Sequence, residues 1–271
     1  MINRERILFI LCLALKRHYL TLPGAAGKVT HNYHNSLTQV NRTMHTRTIA
    51  HILPFAVFMS FIAVEGAVPW LDKNGIITLQ PTGTLYLYPI KTIVVGLLLL
   101  YFRKHYHEIS IKQIVRPSIA ISALLAGIIV FALWIQMDWL LPFQKPAQGY
   151  NPDLISDHIH RTVLIAFRVT GASIVVPIME EIFWRSYIAR MIIDQNFESV
   201  SVGTFTWASF VTTVLLFGLE HQFIIAGCMA GVIYHTLLCR TKSLTACIVA
   251  HSLTNLLLGI YVLKTKAWSF W

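Results

Sequence analysis

Two adjacent glutamates, Glu180 and Glu181, stand inside a long apolar run, and Arg185 follows the second by one helical turn. An ionised side chain at mid-membrane depth costs about 2.5–3.5 kcal/mol on insertion scales, so such residues serve a site or are paired. Glu181 and Arg185 are four apart, in the acid-before-base order that favours a pair on one helix face. Glu180 is turned about 100° from its neighbour, and that arginine does not obviously satisfy it. One carboxylate is thus tied to the frame and the other is left free. Two more constellations follow in later apolar runs. Phe217-Gly218-Leu219-Glu220-His221 ends one of them. His251-Ser252-Leu253-Thr254-Asn255 lies in the last, its histidine and asparagine four apart on one face.

A glutamate kept from bulk water can hold and activate a water molecule, and a neutral histidine can share it. A second histidine and an amide can donate hydrogen bonds to an oxygen that becomes negative as a carbonyl is attacked. Donors of that kind are worth about 10²–10³-fold each. The set suits hydrolysis of an amide bond. Glutamate and histidine are also good zinc ligands, so Glu180, His221 and His251 form an alternative metal set, although the HExxH spacing is absent.

These residues need helices to carry them. Of 271 residues, 55% are hydrophobic and 13% charged, and mean hydropathy is strongly positive. That balance fits a polytopic membrane protein rather than a soluble enzyme. The net charge of +10 does not indicate nucleic acid, because the basic residues flank apolar runs rather than forming a patch with aromatics. Cys12, Cys228, Cys239 and Cys247 lie in or beside apolar segments without CxxC spacing, which reads as free buried thiols.

Seven apolar segments, 48–64, 85–102, 118–135, 162–193, 204–219, 223–238 and 244–263, predict an all-α fold of about seven transmembrane helices, with an eighth allowed, around an intramembrane catalytic cavity. The fourth is too long for one perpendicular crossing and contains Pro177, so it reads as tilted, kinked, or a span followed by a surface turn. The connection 136–160, with Pro142, Pro146, Gly149 and Pro152, reads either as a cap over a cavity or as a plain surface loop. Gly227 and Gly231 form a GxxxG, most simply a close-packing face. The chain divides into an accessory or mis-assigned extension at 1–43, N-terminal helices and loop at 44–160, the catalytic helices at 161–265, and a tail at 266–271. In the extension, residues 7–15 form an apolar run too short to span. His31, His34 and His45 mark a polar stretch that reads as solvated tail rather than a metal tract, and Met44 precedes the first long apolar run.

Basic residues set the orientation. Arg42, Arg47, Arg103, Lys104, Lys112, Arg116, Arg190, Arg240 and Lys242 fall on one side, against Lys73, Lys145, Arg161, Lys264 and Lys266 on the other, nine against five. The Met44 end is therefore expected in the cytoplasm and the C-terminal end outside. Counted along the helices from the face near 194–203, Glu180 is roughly 20 Å deep, His221 roughly 26 Å, His251 roughly 10 Å and Asn255 roughly 16 Å. Those depths allow the four to converge within the membrane.

In order, the chain holds EExxxR (Glu180, Glu181, Arg185), FxxxH (Phe217, His221) and HxxxN (His251, Asn255), each in an apolar segment. This resembles the CPBP family of intramembrane proteases, which includes the Rce1-type CAAX endopeptidases and bacteriocin-processing or immunity proteins. The wording of 181–186, 217–221 and 240–244 is similar to a bacterial subgroup associated with exosortase and PEP-CTERM protein sorting. The resemblance implies that Glu180 and His221 activate water, that His251 and Asn255 stabilise the oxyanion, and that Glu181 and Arg185 support the site. Phe217, Phe183 and Trp184 read as packing around it. Glu220 reads either as orienting His221 or as facing the headgroups, and His235 as a packed, hydrogen-bonded residue.

The expected activity is endopeptidase hydrolysis of a membrane-associated peptide or protein near its anchor. It is expected in the inner cell membrane, linked to sorting or export, with the lipid bilayer as the other partner, no nucleic acid, and no cofactor unless zinc. Competing readings are a catalytically silent scaffold or immunity-type protein, and a small transporter using the glutamates as a proton relay. The transporter reading is opposed by the lack of an internal repeat.

Overall fold

The computed structural model describes residues 31–78, 82–144 and 149–271, with side chains from Thr46 onward. The expectations for residues 1–30, and for the side chains of His31, His34 and His45, lie outside what is described. Among the described residues the chain is built of helices and turns, with no strand.

Helix α1 (His31–Lys73) runs without a break through the expected boundary at Met44, and its portion Thr46–Lys73 is apolar enough to cross a membrane. Next come α2 (Leu87–Phe102), α3 (Pro117–Trp134), α4 (His158–Met191), α5 (Trp207–Glu220), α6 (Ile224–Thr241) and α7 (Leu244–Thr265). Local chemistry sets several ends. Pro117 occupies the first turn of α3, where a missing N–H costs nothing. Asp157, Thr206 and Ser243 cap α4, α5 and α7 by accepting from the N–H of His160, Ser209 and Ala246, which satisfies donors that the helix cannot.

Six helices are long and apolar enough to cross a membrane, and α5 is a shorter apolar helix. At 14 residues it covers roughly 21 Å, short of the ~30 Å hydrocarbon core. Seven full crossings thus become six and a partial one. The outer faces of the bundle are apolar: Ile90, Ile93 and Leu97 on α2 and Ile121, Leu125 and Ile128 on α3 are all exposed. So large an apolar exterior suits lipid, not water. The protein is an all-α, multi-pass membrane protein.

Helix α4 spans 34 residues, roughly 51 Å. It is one helix rather than a span plus a turn. Pro177 cannot donate to the ladder and its ring crowds the carbonyl four residues earlier. The preceding turn accordingly widens into a π-helical stretch at Gly171–Val175. Regular α-helix resumes at Val176–Glu181 and widens again at Ile182–Ile188. Such π stretches often mark functional sites.

Helices α5 and α6 form an antiparallel hairpin whose turn is only residues 221–223. The GxxxG lies at this interface: a Cβ on Gly227 would stand 2.9 Å from Gly218 Cα, and one on Gly231 would stand 3.3 Å from Val214 Cα. The glycines thus let the two backbones touch, as their spacing suggests. Helix α7 packs equally closely on α3, where Thr254 donates to the Gly127 carbonyl at 2.9 Å.

A polar clamp ties α1, α4 and the α2–α3 connection at the membrane face opposite the cavity. Glu108 receives His51 Nε2 at 3.0 Å, the Ser186 hydroxyl at 2.5 Å and Arg190 Nη2. Beside it, Phe183 of α4 stacks on Phe55 of α1 with ring centres 3.8 Å apart.

Candidate active site

Helix α4 delivers Glu180, Glu181 and Arg185, exposed by only 4%, 0% and 2%. The expected pair is present: Glu181 Oε1 lies 3.2 Å from Arg185 Nη1. The contact is ionic rather than an aligned hydrogen bond, since Nη1 finds no acceptor on its donor axis. The same Oε1 lies 2.9 Å from His251 Nδ1 on α7. A carboxylate facing an arginine can only accept, so Nδ1 carries the hydrogen and the Nε2 of neutral His251 presents a lone pair.

Glu180 faces away from this pair. Its Oε2 has no hydrogen-bond partner and lies 3.8 Å from His251 Nε2. The two glutamates therefore divide as their spacing implies. Glu181 is held behind the site, whereas Glu180 lines a cavity of about 510 Å³ together with Glu220, His221, His251 and Asn255.

His221 is the first residue beyond α5, in extended backbone conformation. Because α5 stops short, the histidine sits at a turn inside the protein. Non-helical backbone is tolerated at that depth only where protein or a cavity surrounds it. Its Nδ1 lies 2.7 Å from the Phe217 carbonyl. A carbonyl only accepts, so Nδ1 donates and Nε2 is the free basic nitrogen. The rings of Phe217 and Trp134 hold the imidazole at centroid distances of 4.6 and 5.3 Å.

Asn255 Nδ2 donates to the Ala172 carbonyl at 2.9 Å. That carbonyl belongs to the π stretch before Pro177, so the widened helix orients the asparagine. One amide N–H is used there and the second remains for a ligand. Tyr234 stacks on His251 at 5.1 Å and 25°. Phe217 carries the Arg185 guanidinium 4.0 Å from its ring centre and lies 4.6 Å from the ring of His221, so it packs against both the arginine and that histidine.

Two expectations need correction. Glu220 neither orients His221 nor faces headgroups: it is 4% exposed and accepts from Trp184 Nε1 at 2.7 Å. Trp184 is accordingly more than packing. His235 is buried against Thr213 at 3.2 Å, as a structural histidine should be. Cys228, Cys239 and Cys247 are free, and Cys12 lies outside the described residues.

The long connection does cap the cavity. Gly149 and Tyr150 line it, and Tyr150 N–H donates to the Trp271 carbonyl at 3.1 Å. This joins the loop to a strap at Trp268–Phe270 that the sequence alone did not single out. Also outside the motifs are two cavity-lining cations, Lys91 and Arg168. For Arg168 a signal exists: it is a charge inside the fourth apolar segment.

Zinc at Glu180, His221 and His251 would need three donors converging on one point. Among the described residues, no three His, Cys, Asp or Glu side chains are grouped so as to hold an ion.

Residues 162–257 match the Rce1-like family model, described as type II CAAX prenyl endopeptidase Rce1-like. This stretch is an Rce1-like domain. It reaches from α4 into α7 and contains all three motifs. The Rce1-like family is one of endopeptidases, so the chain is a membrane-embedded hydrolase of the CAAX-protease kind whose substrates are membrane-associated. No curated protein and no solved structure matches the chain.

Proposed function

We propose that the chain hydrolyses a peptide bond near the membrane anchor of a sorted or exported protein, with Glu180 and His221 as the water-activating pair. The observation that carries this is the convergence of Glu180, His221, His251 and Asn255, from two helices and one intramembrane turn, on one cavity.

Water between the unpartnered Glu180 Oε2 and the basic His221 Nε2 loses a proton to Glu180 as its oxygen attacks the scissile carbonyl. The carbonyl π electrons move to oxygen, and the second N–H of Asn255 donates to that oxyanion. His251 can add a donor there from Nε2 only as an imidazolium, because its Nδ1 hydrogen is committed to Glu181. When the C–N bond breaks, the nitrogen takes its electron pair and receives the proton from Glu180. General acid–base steps of this kind contribute about 10²–10⁴-fold. The link to sorting or export, and with it the inner cell membrane, is supported by the wording of 181–186, 217–221 and 240–244.

Comparing membrane and exported proteins of cells carrying either the native chain or Glu180→Gln tests the reading. Uncleaved precursors should accumulate with the variant while the protein itself still inserts. Full biological activity of Glu180→Gln would instead support a silent scaffold.

A further inference from the structure

The membrane face that carries Glu108 also carries cations that neither the cavity nor the clamp uses. Helices α2 and α3 are both long and apolar enough to cross a membrane, so the connection between them, residues 103–116, lies at that face. Arg103, Lys104, Lys112 and Arg116 on it are all exposed. Among the described residues, none of these forms an ion pair, and Arg103 donates only to the Leu100 carbonyl at 3.2 Å. The carboxylates of this face are largely committed. Glu108 is held by His51, Ser186 and Arg190, and Glu198 by Arg47 at 2.8 Å. Asp194 is exposed on the next connection, its Oδ1 accepting the Asn196 N–H at 2.7 Å.

Apolar side chains accompany the cations. Ile111 opens the single helical turn Ile111–Ile114 and Val115 follows its end, and they are 76% and 75% exposed. Lys112 and Arg116 each follow one of them in the chain. Basic flanks alone suffice to orient a membrane protein, but orientation does not call for two apolar side chains so far out beside uncancelled charge. A segment lying in the headgroup layer does, with its apolar groups reaching the acyl chains and its cations the phosphates.

The inner side of this connection is fastened to both helices that carry the cavity residues. Glu108 holds Ser186 and Arg190 of α4, just beyond Glu181 and Arg185. Ser110 N–H donates to Thr245 Oγ1 at 2.9 Å, and Ser243 Oγ donates to Gln113 Oε1 at 2.7 Å. Those two partners stand at the start of α7, upstream of His251.

We propose that the 103–116 connection is a docking surface for anionic phospholipid headgroups, with Lys112 and Arg116 on the phosphates and Ile111 and Val115 among the upper acyl chains. A lipid held there braces the ends of α4 and α7 that carry Glu181 and His251. The surface stands whether or not the chain cleaves peptides.

Lipid retention tests it. The full chain, purified in neutral detergent at about 0.15 M salt so that diffuse attraction is screened, is offered equal amounts of phosphatidylglycerol and phosphatidylcholine with the same acyl chains. Bound lipid is counted by native mass spectrometry, and unfolding temperature is read with and without each lipid. Phosphatidylglycerol should be retained about ten-fold more than phosphatidylcholine and should raise the unfolding temperature. Lys112→Gln combined with Arg116→Gln should cut the ratio about five-fold and remove most of the rise. Lys73→Gln combined with Lys264→Gln takes the same charge from the opposite face and should change neither. Equal retention of the two lipids overturns the proposal, as does an equal loss of preference in both double variants, which would show net charge acting alone. Retention without a rise in unfolding temperature overturns it too, because the lipid would then not distinguish the folded chain. Displacement of the lipid by glycerol 3-phosphate would assign the cations to a soluble phosphate, and tighter binding of a polyglutamate peptide than of phosphatidylglycerol would assign them to an acidic protein; either result overturns the lipid surface.

Discussion

His251 Nδ1 stands 2.9 Å from Glu181 Oε1. The second glutamate of the pair therefore does two jobs: it neutralises Arg185 within its own helix and fixes the tautomer of a histidine on α7. The supporting carboxylate is what turns His251 Nε2 toward Glu180.

Glu181→Gln should consequently be costly twice over. Removing one partner of a buried ion pair leaves the other charge uncompensated, at about 3–5 kcal/mol. Thermal unfolding in detergent should show that loss, and peptide cleavage should fall because His251 is no longer oriented. Unchanged unfolding with a normal rate would remove Glu181 from the site.

Trp184→Phe keeps the ring volume but deletes the N–H that reaches Glu220. A buried acceptor left unmatched costs about 1–3 kcal/mol, so the variant should unfold earlier by that amount. Glu220→Gln can still accept from Trp184 and should be milder, which the same unfolding assay can check.

Gly227→Ala should push α5 and α6 apart, because the new Cβ would lie 2.9 Å from Gly218 Cα and 3.1 Å from His221 Cβ. Overpacking of this kind costs about 1–3 kcal/mol, and His221 moves with the turn. Cleavage should drop more than stability does. Gly75→Ala is the comparison: it has open space around it, although its φ of 67° adds backbone strain, so it should alter stability without altering cleavage.

Acid should unpick the clamp at Glu108. Burial pushes that carboxyl up, but the hydrogen bond and charge of His51 and the Ser186 hydroxyl outweigh it and hold it well below the usual carboxylate range. A depressed folded value means the stabilisation is complete above the unfolded value of about 4.3. It drains away as pH falls toward the folded value, at up to about 1.4 kcal/mol per pH unit. Unfolding temperature measured between about pH 5 and about pH 3 should fall in the native chain, and Glu108→Gln should flatten that limb.

What could be read in advance was what is local along the chain. Glu181 and Arg185 share a face by spacing alone, and Gly227 with Gly231 announces a close contact without naming α5 as its partner. The split between a free and a tied glutamate followed from one helical turn. Contacts between distant segments were not legible: nothing in the sequence tells Glu181 that His251, 70 residues on, will donate to it, or Glu220 that Trp184 will. The shortness of α5 was hidden because its apolar run reads as a full span, and only its abrupt end at His221 shows a turn within the protein. The strap near Trp271 carries no motif, so its place over the cavity depends on where α7 ends.

The most direct measurement is single-turnover cleavage, in liposomes, of a peptide taken from a precursor found in the cell comparison. Native chain and Glu180→Gln are compared at matched unfolding temperature. The water-activation account predicts that the variant loses about 10²–10⁴-fold in rate while it binds the peptide as before. A rate within a few-fold of native would contradict Glu180 as the base.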